Sequence, residues 1–177
     1  MINIKIKLFL LGATLFLFLL LRLQGEGLIQ PYANKGIVSL EFAYTAEKTA
    51  AVVEGWKADG LLKKASNNIL IDFLFIPFYS MLFYTLAGSI SVRLDGKASS
   101  LGVLLAFFSL IAGVFDAIEN MLMLTSMHLF SSDFTSIITA ILAALKFLLL
   151  ALALLYIIFF GLFVIMRKKM FPMSNVS

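Results

Sequence analysis

Long apolar runs alternate with short polar intervals along this chain, and one interval is far longer than the rest. A run of ~20 mostly apolar residues is the length of helix that crosses a hydrocarbon core of ~30 Å. The pattern predicts four such spans, at about 6–23, 68–92, 100–124 and 134–166. The first is 18 residues long. Lys5 and Lys7 before it give it the look of a secretory signal. However, a signal's apolar stretch is roughly 7–15 residues, and no small-x-small site precedes Arg22, so an uncleaved helix is expected. Pro77 lies inside the second run, where neighbouring helices can satisfy a freed carbonyl, and a kink near 73–77 is predicted. The polar turn at 93–97 leads into the third. The fourth covers 33 residues, ~50 Å of helix, so it either tilts strongly or lifts its first turns out of the bilayer.

The long interval, 24–67, reads as more than a linker. Gly25, Gly27, Pro31 and Gly36 break structure at its start. Ser39 is a plausible N-cap, with Glu41 placed in the first turn where a negative charge is favoured. Phe42, Ala46, Ala50, Val53 and Trp56 then recur at helical spacing, while Glu47 and Lys48 fall on other faces. An amphipathic helix at about 39–57 is predicted, lying on the outer surface or capping the bundle. Trp56 and Tyr44 suit an interfacial position. The sequence Ala58-Asp59-Gly60 ends this helix, and Ser66 is expected to cap the second span.

Composition agrees with the pattern. Of 177 residues, 62% are hydrophobic and only 14% charged, with a mean hydropathy of +1.03. Soluble domains are nearer half apolar and a quarter charged. The predicted class is therefore an all-α integral membrane protein: a four-helix transmembrane bundle, residues 1–177 as a single membrane domain, with an external amphipathic helix between spans one and two. The isoelectric point near 9.4 is explained by topology rather than by nucleic acid. Lys5 and Lys7, Arg93 and Lys97, and the run Arg167-Lys168-Lys169 all fall on one side, as the positive-inside bias requires. The loop 125–133 carries only His128, a plain polar residue. Both termini are expected in the cytoplasm of a cell, most simply a bacterial one, with Arg22 as an interfacial anchor and the terminal basic run touching anionic lipid. The absence of cysteine excludes disulfides and thiolate chemistry.

Polar residues inside the runs carry the chemistry. Ionisable groups in spanning helices usually face the bundle interior and mark function. With this topology Asp72 is expected ~6 Å below the outer surface, Glu119 ~8 Å and Asp116 ~12 Å, with Lys146 about three turns down the fourth helix. Ser109, Ala112, Gly113, Asp116, Glu119 and Asn120 form one stripe of the third helix, and small residues in it mark a protein-facing side. Thr139, Ala143, Lys146 and Ala153 form a stripe on the fourth. Asp72, Ile76, Tyr79 and Phe83 share a side of the second. These stripes are expected to line one outward-opening pocket beneath the external helix.

Asp72, Tyr79, Asp116, Glu119, Asn120 and Lys146 are thus candidate ligand-binding residues. Several carboxylates close together cannot all ionise unless a cation joins them or a proton stays. Asp72, Asp116 and Glu119 could hold a hard divalent cation through oxygen ligands. One acid could exchange a proton, and Lys146 could pair with Asp116 or Glu119. Three functions stay open. The first is a membrane protein whose pocket binds a small molecule, a lipid headgroup or a cation. The second is a membrane enzyme acting on a lipid or isoprenoid substrate by carboxylate acid–base chemistry. The third is an accessory or scaffold protein with structural polar residues, whose surface meets another membrane protein or a second copy. Membrane lipid is a partner in each. No nucleophile elbow, phosphate-binding glycine loop, zinc signature or dinucleotide fingerprint is present.

Overall fold

The computed structural model describes residues 3–170, and the Lys168 and Lys169 side chains of the terminal basic run lie outside what it describes. Among the described residues there are helices and no strands: α1 Ile4–Gly25, a 3-10 turn at Glu26–Leu28, α2 Ile37–Glu41, α3 Ala46–Ala58, α4 Leu62–Ser91, α5 Gly96–His128 and α6 Asp133–Met170. Helices α1, α4, α5 and α6 are long and apolar enough to cross a membrane. α4 is central, packing against α1, α5 and α6, and α5 packs against α6.

The single external helix expected at 39–57 is two helices. The chain leaves helical geometry at Phe42, and Tyr44 adopts a left-handed φ of 63°. Ser39 is therefore not an N-cap but an interior residue of α2, its Oγ accepting from Lys35 N at 2.9 Å. The cap of the following helix is Thr45, which accepts from Lys48 N. Asp133, at the start of α6, accepts from Ala46 N at 2.7 Å. Two oxygens from different parts of the chain thus satisfy orphan amides of one helix end. This tertiary cap, with the buried Thr49–Ser136 hydroxyl contact at 2.8 Å, fixes α3 across the first turns of α6.

The predicted stop at Gly60 is a Schellman turn. Gly60 sits at φ 70°, its N–H reaches Lys57 O, and Leu61 N reaches Trp56 O at 2.7 Å. The chain re-enters a helix at once, so α4 begins at Leu62 rather than 68. Apolarity marks burial in lipid or protein, whereas Lys63 and Lys64 do not oppose helix formation. Ser66 is consequently no cap. It lies inside α4, bonding to Leu62 O at 3.1 Å and meeting His128 Nε2 at 2.8 Å. His128 itself ends α5 rather than occupying a loop. Trp56 is not interfacial: its ring is fully buried and its Nε1 donates to Leu28 O at 3.1 Å. Tyr44 remains half exposed.

Two apolar clusters organise the packing. One gathers Leu28, Leu40, Val53, Trp56, Ile69 and Met123 beneath α2 and α3. The other gathers Ala87, Leu94, Leu105, Ala153 and Tyr156 toward the α4–α5 turn. In the second, Gly102 lets α5 approach Tyr156, whose hydroxyl donates to Ala98 O at 3.1 Å. A Cβ at Gly102 would collide with that hydroxyl and lie 2.8 Å from Ser91 Cβ, whereas a Cβ at Gly88 would meet nothing within 4 Å. Equilibrium unfolding in detergent micelles should therefore separate the two glycines. Gly102→Ala is expected to destabilise by roughly 1–3 kcal/mol through overpacking, and Gly88→Ala to stabilise by roughly 0.5–1 kcal/mol through backbone entropy.

Candidate functional site

Between the two apolar clusters lies a polar layer built around Lys146. Its position on α6, in line with Thr139, Ala143 and Ala153, is buried, because α6 turns this stripe of small and polar residues toward the bundle. Lys146 Nζ donates to Asp116 Oδ1 at 2.6 Å. It stands 2.9 Å from Glu119 Oε2 and 3.8 Å from Glu41 Oε1. The Glu119 contact is an ion pair off the hydrogen-bonding direction, since neither Glu119 oxygen has a hydrogen-bond partner. Asp116 Oδ2 accepts from the Tyr79 hydroxyl at 2.7 Å. One step away, Asn120 Nδ2 donates to Asp72 Oδ2 at 2.7 Å.

All six predicted residues meet in this layer, and the α5 stripe is buried from Ser109 to Asn120 as its spacing requires. Their placement departs from expectation in three ways. Asp72 is in the third turn of α4, not near its start, because that helix begins earlier. Glu119 is 0% exposed and sealed behind Lys146, outside the cavity that the other five residues reach. Asp72, Asp116 and Glu119 do not gather as metal ligands: among the described residues no group of three His, Cys, Asp or Glu side chains is placed to hold a metal ion. The Lys146 ammonium occupies the centre of the carboxylates, where a divalent ion would have to sit.

Glu41, which the sequence places in the first turn of a helix and not in the site, is a further member of it. It is the last residue of α2, 6% exposed. Only the break at Phe42 turns it inward, and no periodicity in the local sequence announces that break. Burial raises its carboxyl above the ordinary value, Lys146 lowers it by a smaller amount, and Asp116 raises it. Its Oε2 has no hydrogen-bond partner. Thr14 was also missed, although it is the lone hydroxyl in the first apolar run. It is buried on α1 with Oγ1 unpartnered.

These groups border a cavity of about 690 Å³, within the range of ~300–1,000 Å³ typical of small-molecule sites. α1 contributes Thr14, Phe18 and Leu21, α4 contributes Phe75, Tyr79 and Phe83, and α6 contributes Lys146, Phe147 and Leu150. Asp116 and Asn120 reach it from α5, and Gly36, Ile37, Val38 and Glu41 cover one end. Arg22, expected as an interfacial anchor, lines the cavity with Glu26 and Lys35. α1 and α6 both line it without packing extensively on each other. The pocket expected among three helices is therefore walled by four and roofed by the 26–41 segment. Comparison with known families, curated proteins and solved structures finds no match to this chain, so its chemistry is read from its own residues.

Two expectations follow. Lys146→Met leaves three carboxylates facing one another without a cation. Unfolding in micelles should show a loss of ~3–5 kcal/mol, the magnitude for breaking a buried ion pair from one side. Lys57→Met, which removes an exposed partner of Glu54, should change nothing measurable. The second concerns pH. A carboxyl whose value is raised on folding binds its proton more tightly in the native state, so stability falls as pH climbs from the ordinary 4.5 through the raised value. Glu41→Gln removes this titration. Wild type should lose stability relative to the variant over that window, and parallel pH profiles would refute the assignment.

Proposed function

We propose that this chain is a multi-pass membrane protein that binds an amphiphilic small molecule or lipid in the cavity between α1 and α6. Four long apolar helices support the membrane reading. So do the outward rings of α1 and α6: Phe16 and Phe159 are 66% and 70% exposed, amid a continuous apolar surface larger than soluble monomers carry. By the lysine and arginine distribution both termini are cytoplasmic and the cover formed by residues 26–41 faces outward.

The observation that carries the ligand reading is a pair of orphaned polar atoms. Glu41 Oε2 and Thr14 Oγ1 are buried without partners, and both belong to residues lining the same largely apolar cavity. A buried acceptor left unsatisfied costs ~1–3 kcal/mol, so a ligand that supplies donors there gains what the empty protein lacks. Glu119, whose oxygens also lack hydrogen-bond partners, is sealed away from the cavity beside Lys146, whereas Glu41 and Thr14 border it. Aromatic walls, and a place between the apolar helices α1 and α6, favour an occupant with an apolar chain that enters from the bilayer.

Purification of the full chain from native membranes followed by native mass spectrometry tests the reading. Wild type is expected to retain a bound amphiphile. Leu150→Trp, which fills the cavity from a partly exposed position, should lose it while keeping helical circular dichroism. An empty wild-type protein, or undiminished occupancy in the variant, would sink the idea.

A further inference from the structure

The polar end of the cavity is short of donors. Asp72, Asp116 and Glu41 reach the cavity and Glu119 stands directly behind them. The one cation among them, Lys146, is already engaged with Asp116, Glu119 and Glu41. Asp72 is held only by the neutral amide of Asn120. Glu41 Oε2, in a side chain more than nine-tenths buried, has no donor at all. Arg22 and Lys35 border the same cavity, but from the end of α1 and the segment after it, and neither makes an ion pair with these acids. Three carboxylates therefore share one ammonium, a fourth has only an amide, and Glu41 Oε2 is buried without a donor in a side chain that borders the cavity.

A group that repairs both deficits must bring positive charge and an N–H. A hydroxyl brings a donor without charge, and a trimethylammonium brings charge without a donor. A carboxylate or phosphate placed here would add to the repulsion among the acids. A protonated primary amine meets both needs, and hydrogen bonds between charged partners are about twice as strong as neutral ones. Resting on the amphiphile reading above, we infer that the ligand class is a primary-amine amphiphile, its ammonium donating to Glu41 Oε2 and facing Asp72, its chain lying along Phe18, Phe83 and Leu150.

Native mass spectrometry of the full chain in phosphatidylcholine nanodiscs, titrated with dodecylamine, dodecanol, dodecyltrimethylammonium, dodecanoate and butylamine, tests this. Dodecylamine is expected to bind at least ~10-fold more tightly than the other four, as one added charge-assisted hydrogen bond implies. Glu41→Gln should bring dodecylamine to within about twofold of dodecanol. Asp72→Asn, which keeps the Asn120 contact within reach, should weaken dodecylamine selectively as well. Dodecanol or dodecyltrimethylammonium matching dodecylamine in wild type would overturn the amine assignment while leaving an amphiphile site intact, and tighter dodecanoate would do the same. Butylamine matching dodecylamine would overturn the amphiphile reading beneath it and point to a water-soluble amine. Binding of none of the five would overturn both.

Discussion

An ammonium group enclosed by carboxylates sets the terms for the rest of this molecule. Lys146 lies 2.6 Å from Asp116 and 2.9 Å from Glu119, and removing each such ion from water carries a penalty of several kcal/mol. Two unit charges ~4 Å apart at an effective dielectric of ~20 attract by ~4 kcal/mol. A single pair therefore roughly breaks even, and the cluster holds together because one cation serves several acids at once. What it contributes is geometry rather than net stability. α6 can meet α5 and α2 in only one register that leaves no carboxylate of the trio without its cation.

The same interaction explains the layering of the fold. Apolar clusters lie on either side of the polar layer, each closed by ordinary packing: Trp56 under the α2–α3 cover, and Tyr156 against Gly102 near the α4–α5 turn. Tyr79 and Asn120 extend the layer from Asp116 to Asp72, so α4 is tied to α5 at the level where Lys146 ties α5 to α6. α1 takes no part in this network. It packs on α4 alone among the long helices to any extent, and the space it leaves against α6 is the cavity.

That asymmetry connects packing to the proposed function. In the function proposed, a wall held only on one side would let a ligand enter without disturbing the ion cluster. Glu119 is sealed in the packing, while Glu41, carried on a five-residue helix between the positive-φ positions Gly36 and Tyr44, borders the cavity with one carboxylate oxygen unpartnered. The acids thus divide into one shut in the packing and others that border the cavity. Burial, rather than residue type, makes the division.

Much of this was legible in the chain. Apolar run length specifies four helices long and apolar enough to cross a membrane, and the 100° stripe from Ser109 to Asn120 marks the protein-facing side of α5 before any partner is known. The meeting of Asp116, Glu119 and Lys146 follows from equal depth along neighbouring helices. Glu41 and the break after it were not legible, because a left-handed Tyr44 and a cap donated by Asp133 from 87 residues away are decisions of tertiary contact. Nor could the sequence say that Trp56 would be core, that Glu119 would be shut out of the cavity, or that α1 would stand apart from α6. Local spacing determines which face of a helix is polar; only the packed structure decides which of those polar atoms finds a partner and which is buried without one.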